Sequence, residues 1–397
     1  MTALMMEPGP TQIDSRVVQA MCRPAIYHLD PEFIGVLDDA CGLLQAVFGT
    51  AGEVVVVPAT GRGSIEAVLT SAFGPDDRIL VPSNGVFGQM VAAIGRALGR
   101  DIVELPVEAG AQLDLDALVA AAREHPPAAI AVVHCETSTG MLNPIREVAE
   151  IAREHGSLVL VDAIASAGGS PVRMEEWGID FAVAAGQKAL GALPGISAVG
   201  VSERGRARLQ AVGAGTGARY FNLDRWWGMW LPTERGGRLQ FGYRRLPWTT
   251  ATHSVLALEA ACRIVVEEEG LLARLARHHA AGRAFRAAIE SMGLQLLAPP
   301  GLEADTVTAF FPPDGIDARD VTKALHANHD IKVAGGLEAL AGRIVRVGHM
   351  AETARPVPLQ TTLGALALEL RRAGVKVGEE FAEVFASTWQ ERIGAAR

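Results

Sequence analysis

The sequence has little cysteine and no long apolar segment. Its 397 residues include four cysteines (Cys22, Cys41, Cys135 and Cys262), none of them in a CxxC pair, which excludes a disulfide scaffold and argues against a cysteine-rich zinc site. No apolar run reaches about 18 residues, the length of a membrane-spanning helix. The N-terminus, MTALMMEPGPTQ, lacks the charged and apolar regions of a signal peptide. We therefore expect a reduced, cytoplasmic setting.

Clusters of basic residues are also absent. Lys and Arg number 36 against 45 Asp and Glu, a net charge of −9, so the chain lacks the electrostatic footprint of a nucleic-acid-binding protein. An anionic small substrate would need a local basic site. The composition, 49% hydrophobic and 20% charged, is that of a globular protein and excludes collagen and disorder.

Short apolar runs alternate with helical patterns from residue 50 to about 205. Near-continuous apolar strands alternating with helices are typical of an α/β fold, with a mostly parallel sheet covered on both faces. Ligands of such sheets bind outside the carboxyl ends of the strands. The predicted strands are residues 53–58, 78–82, 101–105, 128–134, 157–162, 180–185 and 197–202.

The second half of the chain has a different pattern. Residues 206–250 are rich in Arg, Gly and Trp with little periodicity, and we predict a long irregular excursion; the tryptophans at 226–230 suit the core, a dimer interface or an active-site wall. Helices are predicted at 253–268 and 271–292, and then a smaller α+β domain with strands near 294–297, 306–311 and 343–347 and helices near 317–327, 358–373 and 378–393. The predicted division is an N-terminal arm (1–25), a large domain (26–265) and a small domain (266–397).

Asp162 and Lys188 carry the most informative chemistry. Asp162 ends a predicted core strand, and Lys188 follows the next strand in a loop of Gly, Ala and Pro. A lysine partly desolvated there has a lowered pKa, so its neutral amine can attack an aldehyde to form a Schiff base. A carboxylate on the adjoining strand end can hold the pyridinium proton of pyridoxal phosphate. Alternatively, Lys188 is a solvated loop lysine and Asp162 a helix cap.

Seven short motifs are spread over almost the whole chain: EPGPT (7–11), ATGRGSIEA (59–67), SNGVFGQ (83–89), HCETSTG (134–140), VDAIASAGG (161–169), GQKALGALPG (186–195) and RVGHM (346–350). Taken in this order, they resemble class V aminotransferases of the alanine–glyoxylate and serine–glyoxylate type. The resemblance implies a pyridoxal-phosphate transferase of fold type I, a homodimer, Lys188 as the residue joined to the cofactor, and Asp162 as the partner of its ring nitrogen.

The loop ATGRGS lies between a predicted strand and a predicted helix, so its backbone amides can converge on an anion beside the helix N-terminus. The resemblance implies that the cofactor phosphate is bound by Thr60, Gly61, Arg62 and Gln187, together with Thr250 of a second subunit. Arg62 replaces the small or imidazole-bearing residue usual in the family. Whether it binds phosphate, substrate or neither stays open.

The remaining site residues also come from the resemblance. It implies that Phe87 stacks on the pyridine ring, that the Thr137 hydroxyl meets the cofactor, and that Gly9 and Arg346 bind substrate, with the Arg346 guanidinium holding a carboxylate through paired hydrogen bonds. The alternatives are a core Phe, a turn-forming Thr, and a solvated edge-strand Arg, a description that suits Arg343 better. At the substrate entrance Glu7 stands where Gly is usual, so a substrate with a cationic group is conceivable.

Other polar residues have no derived catalytic role. His134, Cys135 and His253 are interpreted as packing residues or supports of the site, because no HxH or HExxH spacing indicates a metal, and we expect no metal site. Glu136 has no role that follows from the sequence.

The implied activity is transfer of an amino group from a small amino acid, such as alanine or serine, to pyruvate or glyoxylate by a ping-pong mechanism. The C-terminal stretch IVRVGHMAETARPVP also resembles pyridoxamine–pyruvate transaminase, which is the alternative. A class V lyase or desulfurase normally needs a late cysteine, and none follows Cys262. A non-catalytic protein on this scaffold is disfavoured because Lys188, Asp162 and Arg346 are all present.

Overall fold

A seven-stranded, mostly parallel sheet forms the centre of the chain in a computed structural model that describes residues 3–395 except 216, 236, 238 and 240–243. Its strand order is β1-β7-β6-β5-β4-β2-β3, and β7 runs antiparallel to both of its neighbours. All seven lie where the sequence predicts strands, which confirms the α/β fold class. The strands are Glu53–Val57 (β1), Arg78–Ser83 (β2), Asp101–Pro106 (β3), Ala129–Val133 (β4), Leu158–Asp162 (β5), Phe181–Ala185 (β6) and Ser197–Val201 (β7).

Burial explains why the strand pattern is nearly continuous in apolar residues. Every residue of β4, β6 and β7 is buried, so both faces of these strands are covered and polar alternation is absent. β3 differs because it is an edge strand: it is only half-buried, contains Asp101 and Glu104, and ends at Pro106. Charged residues and proline protect such an edge from pairing with another chain.

Helices connect and cover the strands. Among the described helices, none combines the length and apolar composition needed to cross a membrane. They are Ser15–Met21 (α1), Pro31–Phe48 (α2), Gly61–Ala72 (α3), Val86–Ala97 (α4), Leu115–Glu124 (α5), Ile145–Glu154 (α6), Met174–Trp177 (α7), Glu203–Val212 (α8), Leu223–Trp230 (α9), Thr252–Arg263 (α10), Leu271–Ser291 (α11), Ala318–His329 (α12), Pro356–Arg372 (α13) and Phe381–Ala395 (α14).

The prediction of an irregular excursion over residues 206–250 is wrong for its first part, which contains most of α8 and all of α9. Asn222 starts α9 as N-cap, its side chain accepting a hydrogen bond from the backbone N–H of Arg225. Trp226, Trp227 and Trp230 then share one side of the helix and pack into the main core. Positions 216, 236, 238 and 240–243 of this segment lie outside the described residues.

A second hydrophobic cluster forms around a four-stranded sheet in the C-terminal part. Its strands are Gln295–Leu296 (β8), Val307–Phe311 (β9), Ala334–Gly335 (β10) and Val345–Gly348 (β11), in the order β8-β9-β11-β10. Met6 is buried in this second cluster, and Leu4–Met5 pairs with Ile331–Lys332. The N-terminal residues therefore connect to the C-terminal part of the fold. The division at residues 25 and 265 stays a prediction.

Candidate active site

A cavity of about 360 Å³ lies at the carboxyl ends of the parallel strands, the position expected for a ligand site in such a sheet and a volume suited to a small organic ligand. Loops after β1, β2, β4, β5 and β6 contribute its walls. Nine predicted site residues line it: Gly9, Thr60, Gly61, Arg62, Phe87, Thr137, Asp162, Gln187 and Lys188.

Lys188 lies three residues beyond β6, in the short turn Gly186–Leu190. Its Nζ donates a hydrogen bond to the carbonyl of Pro8, and burial is the main cause that lowers the pKa of this amine to about 8. Lys188 is therefore partly buried and hydrogen-bonded, and its bond to a cofactor stays a prediction. A partly buried amine with this pKa is partly neutral near neutral pH, as a nucleophile toward an aldehyde must be.

Asp162 ends β5, the strand next to β6, and pairs in register with Val183. Among the described residues, its carboxyl group accepts one hydrogen bond, from the backbone N–H of Ile164 at 2.9 Å. Burial raises the pKa of Asp162 to about 7, while Lys188 and Arg62 act in the opposite direction. Asp162 thus presents an incompletely paired carboxyl group to the cavity, a suitable acceptor for a protonated ring nitrogen.

The loop after β1 leads into the N-terminus of α3. Thr60 is the N-cap, and its side chain faces the backbone N–H of Gly63 at 3.5 Å. Gly61 is closely packed, since a Cβ there would lie 2.4 Å from Cδ1 of Ile164. The free N–H groups and the positive end of the helix dipole favour an anion at this end of the cavity.

Arg62 and Phe87 meet across the cavity wall. The guanidinium carbon of Arg62 lies 5.8 Å from the centroid of the Phe87 ring, within range of a cation–π contact. Among the described residues, no carboxylate forms an ion pair with Arg62, which leaves its charge available to a ligand. Phe87 is half-buried, lines the cavity and also packs against the main hydrophobic core, so its stacking on a cofactor ring stays a prediction beside the core-Phe alternative.

Gln187 precedes Lys188 and also lines the cavity. Its Oε1 atom is buried and has no hydrogen-bond partner among the described residues. Buried polar side-chain atoms are rarely left unpaired, so this atom indicates a polar group supplied by a ligand. Thr137 is buried and also lines the cavity.

Arg346 lies in β11, an inner strand between β9 and β10, and only 6% of it is exposed. The alternative of a solvated edge-strand arginine is therefore wrong for Arg346, whereas Arg343 is exposed. The Nη1 of Arg346 donates to the carbonyl of Thr137 and its Nε to the carbonyl of Gly335, both at 2.8 Å. Burial lowers its pKa to about 10, so it stays charged. It lies outside the cavity lining but bonds to a cavity-wall residue.

Thr250 is buried and, like Arg346, is outside the lining of this cavity. Its predicted contact with a phosphate involves a second subunit and stays a prediction. None of the tryptophans of α9 lines the cavity either; they pack in the core, so the active-site-wall alternative is wrong for this chain's own cavity.

Sequence reasoning missed the role of Glu136. This fully buried side chain accepts hydrogen bonds from the backbone N–H groups of Phe87, Gly88 and Ser138 and from the Ser138 hydroxyl. It thereby caps the N-terminus of α4. Apolar wall residues missed as well are Ile65, Met90, Val91, Val133, Ile94, Ile164 and Ala165.

His134, His253 and Cys135, which the sequence left without a catalytic role, have contacts or positions that the structure defines. His134 is buried, lies 3.0 Å from the Ser166 hydroxyl, and has a pKa lowered by burial to about 4; His253 contacts the carbonyl of Arg23. Cys135 lines the cavity, and burial raises the pKa of its thiol to about 12. Within the described part of the chain, no group of three His, Cys, Asp or Glu residues could hold a metal ion.

Comparison with known proteins places this geometry in a family. The profile of aminotransferase class-V matches residues 5–355. The (S)-ureidoglycine–glyoxylate transaminase of Bacillus subtilis (strain 168) is 32% identical over 396 residues, covering 94% of this chain and 92% of the relative. The crystal structure of the ureidoglycine–glyoxylate aminotransferase from Bacillus subtilis superposes with a TM-score of 0.91 at 30% identity, covering 98% of both chains.

A further solved structure is similar over the whole chain. The pyridoxamine–pyruvate aminotransferase from Mesorhizobium loti has a TM-score of 0.90 at 26% identity and covers 100% of this chain and 98% of its own. These matches confirm both the resemblance inferred from the sequence motifs and the fold type I architecture. The chain belongs to the class V aminotransferase family.

Proposed function

We propose that this protein is a pyridoxal-phosphate-dependent aminotransferase that moves an amino group from a small amino acid to glyoxylate or pyruvate. The observation that carries the proposal is the pair formed by Lys188 and Asp162. A partly buried amine with a lowered pKa, three residues beyond β6, and a buried carboxyl group with a raised pKa, at the end of the adjacent strand β5, line the same cavity. Pairs of titratable groups shifted in this way are typical of catalytic sites.

The cavity has groups suited to each part of the cofactor. Lys188 would hold it covalently, Asp162 would face the ring nitrogen, and Phe87 would pack on the ring. The N-terminus of α3, with Thr60 and Gly61, would receive the phosphate. The unpaired Gln187 Oε1 is consistent with a ligand polar group in the cavity.

When bound, pyridoxal phosphate supplies an electron sink for the negative charge that develops at the substrate α-carbon. Lys188 would act as the general base: its Nζ, once no longer bonded to the cofactor, would take the proton from the substrate α-carbon and hold it for return. General-base transfer of this kind contributes about 10²- to 10⁴-fold to the rate. Its lowered pKa keeps the amine able to accept this proton near neutral pH.

Arg346 would orient the substrate through its carboxylate. The guanidinium is fixed by two backbone carbonyls, so part of its donor set is left for a ligand. A fork of two parallel hydrogen bonds defines the direction of a carboxylate better than an ammonium group does. Reversal of the transfer with a second keto acid, which takes up the amino group, would give the ping-pong kinetics.

The homodimer, the cytoplasmic setting and the contribution of Thr250 from a second subunit belong to the same proposal. They rest on the resemblance of the sequence motifs to the family. A cavity open to solvent in one chain would be closed by such a neighbour, and excluding water protects reactive intermediates.

Pyridoxamine–pyruvate transamination is the second candidate, favoured by the similarity of the Mesorhizobium loti structure over the whole chain. An enzyme that takes the free vitamin as substrate has no need of a phosphate site. The helix N-terminus at Thr60 favours the phosphorylated cofactor instead, and so does Arg62, which has no carboxylate partner among the described residues.

The test uses the full-length protein incubated with pyridoxal phosphate. Wild type is expected to develop a visible absorption band. Borohydride should bleach this band by reducing the imine and leave the cofactor permanently attached to Lys188, whereas Lys188→Ala is expected to lack the covalent adduct. A screen of amino donors against glyoxylate and pyruvate, with pyridoxamine among the donors, then separates the two candidates. An adduct on another lysine, or elimination without nitrogen transfer to any acceptor, would overturn the proposal.

A further inference from the structure

Glu136 links two walls of the cavity. Its neighbours Cys135 and Thr137 line the cavity, while its own side chain, fully buried, points to the start of α4. There the carboxylate accepts the N–H groups of Phe87 and Gly88, each at 3.1 Å from Oε2. These are backbone donors of the first turn, which have no partner within the helix.

Ser138 completes the cap. Its hydroxyl accepts the N–H of Val86, the first residue of α4, at 3.0 Å and donates its own proton to Glu136. The N-cap residue itself, Gly85, has no side chain that could do this. A Cβ there would lie 2.5 Å from both Cγ of Glu136 and the hydroxyl of Ser138, so the capping carboxylate occupies the space of the missing side chain.

All four donors to Glu136 are N–H or O–H groups, so the site suits an ionised carboxylate that accepts only. Burial acts against ionisation and raises the pKa, whereas the hydrogen bonds from Ser138, Gly88 and Phe87 lower it. The negative charge also favours the charged form of Arg346, whose Nη1 binds the carbonyl of Thr137, the residue that follows Glu136.

We propose that Glu136 is a positioning residue that holds the Phe87 ring in the orientation required for stacking on the cofactor. This inference rests on the proposed function. The Phe87 backbone is anchored by the same carboxylate that fixes the loop of Thr137 and, through it, Arg346. The buried Glu136 carboxylate therefore positions both the Phe87 ring and Arg346, the arginine proposed to bind the substrate.

The experiment compares Glu136→Gln with wild type by visible circular dichroism of the bound cofactor, since this signal depends on the asymmetric environment of the ring. The amide keeps the shape of the side chain but turns an NH₂ group toward N–H donors, so Phe87 must shift. We expect the visible signal per bound cofactor to fall at least twofold, kcat to fall about tenfold, and Glu136→Asp to restore part of both.

The matched control is Asp180→Asn. Asp180 is likewise a buried carboxylate that accepts a backbone N–H, from Val159 at 3.0 Å, and a serine hydroxyl, from Ser202 at 2.8 Å, but it does not line the cavity. The Asp180→Asn substitution should lower thermal stability and leave the visible circular dichroism of the cofactor unchanged. If Glu136→Gln fails to fold, Ser138→Ala tests the same cap and should reduce the signal in the same direction.

The inference is overturned if Glu136→Gln behaves like Asp180→Asn, with lower stability and an unchanged visible signal and kcat. It is also overturned if Glu136→Gln weakens the signal equally in a Phe87→Ala background, because Phe87 would then not mediate the effect. Failure of wild type to bind the cofactor at Lys188 would instead overturn the proposed function.

Discussion

Gly9 lies against the aliphatic chain of Lys188: a Cβ at position 9 would be 2.5 Å from Cδ and 2.7 Å from Nζ of that lysine. The backbone of Gly9 has φ +98°, a conformation that side chains disfavour. The Lys188 amine bonds to the carbonyl of Pro8, the preceding residue. The N-terminal segment therefore packs against the side chain of Lys188 and helps to fix the position of its amine.

Gly9→Ala is therefore expected to displace Lys188 and to slow its attachment to pyridoxal phosphate by tenfold or more, with a loss of stability of about 1–3 kcal/mol from backbone strain. The rate at which the visible band appears is the measurement. Gly301→Ala is the control, because Gly301 also has a positive φ, +87°, but nothing lies within 4 Å of its Cβ position. Equal rates in the two variants would contradict the prediction.

Asp162 predicts a pH dependence of the stability of the cofactor-free protein. Its pKa is raised in the folded state from 3.8 to about 7. The folded state therefore binds more protons than the unfolded state between these values, and stability is lost as pH rises through this window. The side chain of Asp162→Asn stays neutral. As pH rises from 5 to 8, the free energy of unfolding of this variant should therefore increase by about 2–3 kcal/mol relative to that of wild type.

Urea unfolding of both apo proteins at the two pH values measures this difference. A constant difference between Asp162→Asn and wild type would mean that Asp162 is already ionised at pH 5. With the cofactor bound, the same substitution is expected to lower kcat by 10²-fold or more, because the ring nitrogen loses its acidic partner.

The contrast between strands and caps shows what the sequence could predict. The strands were predictable because their buried, β-branched runs carry the signal within five or six consecutive residues. Asp162 was found because it ends a strand, and Lys188 because it follows the next strand by three residues, in a loop of small residues. Helix α9 was missed, since its tryptophan-rich face lacks the usual alternation of polar and apolar positions. The cap of α4 by Glu136 could not be predicted, because the carboxylate and the N–H groups of Phe87 and Gly88 that it accepts are 49 and 48 residues apart.

Arg62 predicts the preference for a phosphorylated cofactor. Of the residues that line the cavity, Arg62 and Lys188 are the cations, and the amine of Lys188 would be consumed in the bond to the cofactor. Arg62 is then the remaining positive charge of this lining that can balance a phosphate. Arg62→Gln should weaken the binding of pyridoxal phosphate about tenfold, since hydrogen bonds to charged groups contribute about 1.5–3 kcal/mol. The affinity for unphosphorylated pyridoxal should stay nearly unchanged.

Fluorescence titration of the apo protein with both compounds measures this ratio. Arg96→Gln is the control, because Arg96 pairs with Glu104 away from the cavity. If Arg62→Gln binds both compounds as wild type does and instead raises KM for donors with a second carboxylate, Arg62 is a substrate residue.

Arg346 predicts a selective effect on carboxylate substrates. Arg346→Lys keeps the positive charge but loses the planar guanidinium group. The lysine ammonium has fewer hydrogen-bond donors, so it cannot bind the carbonyls of Thr137 and Gly335 and a substrate carboxylate at the same time. KM should rise about 10- to 100-fold for both the amino donor and the keto-acid acceptor, measured in separate half-reactions. Arg343→Gln, an exposed neighbour, should leave both values unchanged. A lower melting temperature with unchanged KM for Arg346→Lys would make this arginine a structural tie between β11 and the Thr137 loop, and the substrate carboxylate would then have to bind elsewhere.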